Sequence, residues 1–159
     1  YEFATNKNKT QEALENVYKL SNFQGRWQIF CKEPLVIGDV GHNEEGFRLI
    51  TKELAKYSKN IHFVLGFAED KDLSKIIPIL PTNSIYSFVK PDVIRGMKPD
   101  KTKAIFESYG IQGEAFPNLK IAIKNRFEQI PKNELIFVGG SNFIIADFLK
   151  LKENNQLPF

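Results

Sequence analysis

Leu35-Val36-Ile37-Gly38-Asp39-Val40-Gly41-His42-Asn43-Glu44-Glu45-Gly46-Phe47 decides how the rest of the chain reads. Three apolar residues run into Gly38 and Asp39, a second glycine follows, and His42-Asn43 opens an acidic stretch. The pattern predicts a buried strand that stops at an aspartate, then a tight turn, then a helix. Asn43 suits the N-cap, and Glu44 and Glu45 suit the positive end of the helix dipole. In open α/β sheets ligands bind at the carboxyl ends of strands, beside helix N-termini. Asp39 and His42 therefore stand where chemistry is expected.

Upstream, residues 10–20 carry Ala13, Leu14, Val17 and Tyr18 at helical spacing, and residues 26–30 alternate as a strand. Downstream, a helix over 44–58 presents Phe47, Ile50, Leu54 and Tyr57 on one face, and 61–66 is a wholly apolar strand apart from His62, which is assigned no function. A helix capped by Asp70 is expected to carry Leu73, Ile76, Ile77 and Leu80 until Pro81 breaks it. A strand over 84–89 follows, then a helix over 100–109 stopped by Gly110, a short strand within 111–116, and a helix after Pro117-Asn118 with Leu119, Ala122, Ile123 and Phe127 inward. The last strand is 134–138. Gly139-Gly140-Ser141 turns it into a final helix carrying Ile144, Ile145, Phe148 and Leu149. The polar tail from Lys152 is expected to be loose. Strands that alternate with helices imply βαβ units and a mostly parallel sheet covered on both faces. The strands at 26–30 and 35–38 are too close for a crossover, so the first is expected to be antiparallel.

With 159 residues the chain suits one domain with a real core. The net charge of +3 is mild and the cations are scattered among acids, which argues against a nucleic-acid partner. The single cysteine, Cys31, excludes an internal disulfide framework and fits a reducing compartment. No apolar run approaches the roughly 20 residues that span a bilayer. The N-terminus lacks a signal-peptide core, so the expected location is cytoplasmic, with no membrane partner.

Five residues are candidates for a site. Asp39 could accept from ribose hydroxyls or metal-bound water, or merely bond its own turn. His42 sits beside a helix start, where the imidazolium is disfavoured, and could equally be structural. Arg26, after Gly25, offers the planar, permanently charged fork that suits phosphate, against the plainer reading of a solvated surface arginine. Lys71, in Asp70-Lys71-Asp72, could reach a ligand or be one of several exposed charges. Ser141 opens a helix after Gly139-Gly140, so it could be an N-cap, part of an anion site, or both. No GxxxxGK[ST] loop is present to cradle ATP phosphates, and no His/Cys cluster has zinc spacing.

Taken in order, Gly25-Arg26, Ile37-Gly38-Asp39-Val40-Gly41-His42-Asn43, Leu65-Gly66-Phe67 through Asp70-Lys71-Asp72, and Val138-Gly139-Gly140-Ser141-Asn142-Phe143 resemble the C-terminal domain of the folylpolyglutamate synthase/dihydrofolate synthase family, within the Mur ligase superfamily. The likeness covers about residues 10–150. Gly38 and Val40 depart from the family's usual Leu/Val-Asp-Gly-Ala-His-Asn. The resemblance implies an α/β, Rossmann-like three-layer domain with a six-stranded, mostly parallel sheet and one antiparallel edge strand. It divides the chain into a linker and helix from a preceding central domain (1–22), the Mur-type domain (23–151) and the tail (152–159).

The resemblance also implies an ATP-dependent ligase. ATP activates a carboxylate to an acyl phosphate, which the amino group of glutamate attacks to extend a folate. The P-loop and the Mg2+ ligands would lie in the central domain, so this stretch alone is expected to be inactive. Arg26 would contact ATP phosphates and act in catalysis, and Asp39 would contact the nucleotide. His42, Ser141 and, less directly, Lys71 would line the glutamate site, with His42 also catalytic. The implied partners are ATP, glutamate, folate and the chain's own central domain, and the implied state is a monomer. Two other readings compete: the same domain from another Mur-type amino acid ligase, and a stand-alone Rossmann-like module that binds a nucleotide or a protein.

Overall fold

The computed structural model describes residues 24–159. Strands Gln28–Lys32 (β1), Leu35–Gly38 (β2), Ile61–Leu65 (β3), Ile85–Phe88 (β4), Glu114–Ala115 (β5) and Leu135–Gly139 (β6) form one sheet in the order β1-β2-β6-β3-β4-β5. β1 runs antiparallel to β2, and every other neighbouring pair is parallel. Helices Glu44–Leu54 (α1), Pro99–Ser108 (α2), Leu119–Gln129 (α3) and Asn142–Glu153 (α4) cover it. The six strands and the single antiparallel edge agree with the expectation. The helix expected over 10–20 lies outside the described residues.

Both faces of the sheet are buried, as a parallel sheet requires. Ile37, Phe63, Leu65, Leu135 and Phe137 join Phe47, Ile50, Leu54 and Phe106 from α1 and α2 on one side. Val36, Val64, Ile136 and Val138 alternate to the other side, against Ala122 and Ile123 of α3 and Ile144, Ile145 and Phe148 of α4. Each such Val, Leu, Ile or Phe side chain contributes about 1.5–3 kcal/mol relative to exposure. The one buried guanidinium among the described residues, that of Arg126, donates to Ser87 Oγ at 2.6 Å, to Glu114 at 2.7 Å and to Gln129 at 3.4 Å, and lies 5.2 Å over the Phe116 ring. It fastens α3 to β4 and β5.

Local differences from the sequence reading have physical causes. The helix expected from Asp70 is absent. Leu73, Ile76, Ile77 and Leu80 are buried as foreseen, but on turns and a single 3-10 turn, Ile77–Ile79. Pro78 lacks the N–H and crowds the preceding turn, which disfavours an α-helix running through it by about 3 kcal/mol. Asp72 rather than Asp70 does the local capping, accepting from Ser74 N at 2.9 Å, and that backbone bond holds its carboxyl below the usual range. β1 starts at Gln28 rather than 26, and α1 ends at Leu54 rather than 58. The tail is not loose: Leu157 and Phe159 join the second core, with the Phe159 ring 5.2 Å from Phe127.

Two chain directions open the crevice. β2 and β6 are neighbours, yet β2 leads into α1 on one face and β6 into α4 on the other. Loops that part in this way leave a cleft at the carboxyl ends of the strands.

Candidate functional site

Asp39 ends β2 and its carboxylate is shared between two turns. Oδ1 accepts from Gly41 N at 2.6 Å and Oδ2 from Trp27 N at 2.8 Å. The backbone role weighed for it is therefore real, and it reaches across to the Arg26 turn as well. Each oxygen keeps a second acceptor position for a ligand hydroxyl. His42 Nδ1 donates to the Val40 carbonyl at 3.1 Å, since a carbonyl can only accept. Nε2 is the ring nitrogen left for a ligand. Asn43 caps α1 as expected, accepting from Gly46 N at 2.9 Å.

Ser141 is buried and caps α4, with Oγ accepting from Ile144 N at 3.3 Å. Gly140 before it has φ +98°, and a Cβ there would lie 2.9 Å from the Gly66 carbonyl oxygen. Only glycine makes this turn without strain. It brings the start of α4 against the end of β3, where the next loop carries Lys71.

These side chains line two adjoining clefts. The larger, about 700 Å³, gathers His42, Lys71 and Ser141. The smaller, about 460 Å³, gathers Arg26 and Asp39. His42, Asn43 and Asn142 line both. All five sequence candidates thus meet at one end of the sheet, sorted into two groups.

One residue of the larger cleft was missed. Arg95 lies in the loop after β4, its Cζ 5.0 Å over the Phe143 ring. That loop is zipped to the loop after β3: Glu69 N donates to Arg95 O at 2.7 Å, Met97 N donates to Phe67 O at 2.9 Å, and Ala68 and Gly96 form an antiparallel bridge. Glu69 also pairs with Lys101 of α2. The signal was positional. Arg95 follows a strand's carboxyl end, as Asp39 does, but six residues of loop separate it from β4. Lys71, Lys75 and Arg95 line the cleft together with Glu44, Glu45, Asp70 and Asp72. A lining of mixed sign suits a zwitterion, with cations for carboxylates and acids for an ammonium.

The family described as Mur ligase, glutamate ligase domain matches residues 25–142. A dihydrofolate synthase/folylpolyglutamate synthase of Buchnera aphidicola is 28% identical over 138 residues, covering 84% of this chain and 33% of that protein. A probable bifunctional folylpolyglutamate synthase/dihydropteroate synthase of Haloferax volcanii is 24% identical, covering 86% and 16%. The chain thus spans a third or less of these relatives. A crystal structure of a bifunctional folylpolyglutamate synthase/dihydrofolate synthase with Mn, AMPPNP and L-glutamate bound superposes with a TM-score of 0.73 at 20% identity, over 82% of this chain and 32% of that one. The fold, the order of strand-end motifs and the family match agree: the chain belongs to the Mur ligase glutamate ligase domain family.

Proposed function

We propose that this chain is the C-terminal domain of an ATP-dependent ligase that adds glutamate to a folate, dihydropteroate or a tetrahydrofolate polyglutamate. The observation that carries the reading is the sorting of the two clefts. One holds a cation and a hydroxyl acceptor, Arg26 and Asp39, and the next holds the mixed charges that fit an amino acid. His42 lies on the border between them, where a phosphorylated carboxylate and an incoming amine would meet. The named relatives support a folate over a cell-wall precursor as the acceptor.

In this reading ATP supplies the activation, turning the folate carboxylate into an acyl phosphate. Arg26 neutralises charge on the transferred phosphate. Asp39 accepts from the ribose. Lys71, Arg95 and Ser141 hold the carboxylates of glutamate, and His42 Nε2 orients or deprotonates its amine. Among the described residues no group of three or more His, Cys, Asp or Glu side chains forms a metal site. The resemblance to folate ligases assigns Mg2+ ligation to a preceding central domain. That central domain is the proposed partner, with residues 1–22 as linker, 23–151 as the closing domain and 152–159 as the tail. Closure over the nucleotide excludes water from the acyl phosphate. The enzyme is read as a cytoplasmic monomer. Among the described residues no helix is long and apolar enough to cross a membrane.

The test is a ligation assay on this domain joined to its central domain, with ATP, glutamate and either dihydropteroate or tetrahydrofolate. Product with either folate is the expected result. Product only with another amino acid or acceptor would move the domain to another Mur-type ligase, and no ligation at all would leave a binding module.

A further inference from the structure

Trp27 is the chain's only tryptophan, and its backbone is left-handed at φ 42°. A bulky residue holds that conformation only where its surroundings impose it, and such positions cluster at binding sites. The imposing contacts are visible. Trp27 N donates to Asp39 Oδ2, Val40 N donates to the Gly25 carbonyl at 2.8 Å, and Gly25 N donates to Gln28 Oε1 at 2.8 Å. The 25–28 turn and the 39–41 turn are thereby locked to each other.

The lock sets the indole into the wall of the smaller cleft. It is half-buried, 6.2 Å from the Tyr57 ring, and shares the wall with Val40, Ile50 and Leu49. Leu49 is 66% exposed, although it sits on α1 beside a well-packed core. Polar groups occupy the rest of the same cleft, Arg26 and Asp39 among them. An apolar slab, a hydroxyl acceptor and a cation are what a base, a ribose and a phosphate respectively need.

We propose that Trp27 and Leu49 form the wall that takes the planar base of the bound nucleotide, so that this domain reads the base and not phosphate alone. The proposal rests on the nucleotide reading of this cleft and names the residues that contact the base. Asp39 then has a positioning role besides its own contact: by holding Trp27 N it aims both Arg26 and the indole.

The chain's single tryptophan makes the test direct. Adenosine, ATP and inorganic tripolyphosphate are titrated separately, following Trp27 emission and amide NMR shifts. Adenosine and ATP are expected to change the emission saturably, and tripolyphosphate to shift amides near Arg26 with little change in emission. Trp27→Ala is expected to weaken ATP about tenfold or more, Trp27→Phe to retain most of the affinity, and both to bind tripolyphosphate as the native chain does. Leu49→Asp, on an exposed helical position that the fold tolerates, is expected to weaken ATP in the same way. ATP bound equally well by native, Trp27→Ala and Leu49→Asp chains would overturn the wall while leaving the nucleotide reading intact. No binding of ATP at millimolar concentration to the native domain joined to its central domain would overturn both.

Discussion

Glu134 Oε2 accepts from His62 Nε2 at 2.6 Å, joining the starts of β6 and β3 at the end of the sheet remote from both clefts. Asn60 Nδ2 donates to the other carboxylate oxygen at 2.8 Å. The bond from His62 holds the Glu134 carboxyl below the usual carboxylate range. A carboxyl depressed by folding adds stability that is complete above its unfolded value and is lost as pH falls through the folded one. The domain should therefore lose stability in part through this pair as pH falls below the ordinary glutamate range. Glu134→Gln should cost about 1–3 kcal/mol at neutral pH, because it weakens a charge-assisted bond to a buried ring. It should also flatten the acid limb of the stability profile. Urea denaturation at pH 7 and in acid checks both, and an unchanged acid limb would remove Glu134 from the explanation.

On the proposed ligase reading, Arg26→Ala in the domain joined to its central domain should lower kcat by about 10²–10³-fold, the usual cost of removing one donor to developing charge. Arg26 is exposed in this domain, so the thermal midpoint should hold within a degree or two. Wild-type turnover in this variant would take Arg26 out of the mechanism.

Arg95→Ala should raise the KM for the incoming amino acid about tenfold or more and leave the KM for ATP close to native. Arg95→Lys should recover only part of this, since a lysine lacks the flat fork that lies over Phe143. Equal rises in both KM values would point to a general loosening of the loop instead.

Gly140→Ala should destabilise the domain by about 1–3 kcal/mol, through a left-handed backbone and a methyl group pressed on the Gly66 carbonyl. For a chain of this size that is a fall in Tm of about 2–4 °C per kcal/mol. Calorimetry reads it directly, and a native Tm would mean that the turn relaxes freely.

Much of this was legible in the chain because strand ends announce themselves. The apolar run of β2 stops at Asp39, that of β6 stops at Gly139-Gly140-Ser141, and Asn43 and Ser141 cap the helices that follow. The segment around Leu73 and Ile77 misled because apolar spacing alone does not reveal that Pro78 interrupts the ladder. Phe159 was unforeseeable by periodicity, since it lies beyond the last helix and meets Phe127 on α3 and Phe148 on α4 only through tertiary packing. Arg95 was hidden for the same reason. Its place in the cleft depends on main-chain bonds between two loops that no local pattern encodes. The division into two clefts was likewise invisible, because it follows from which face of the sheet each helix covers.

The bridge between Ala68 and Gly96 fixes more than a loop. It ties the loop that carries Lys71 to the loop that carries Arg95, since Lys71 N donates to the Ala68 carbonyl and Glu69 N to the Arg95 carbonyl. A displacement of either loop must therefore carry the backbone of both cations with it.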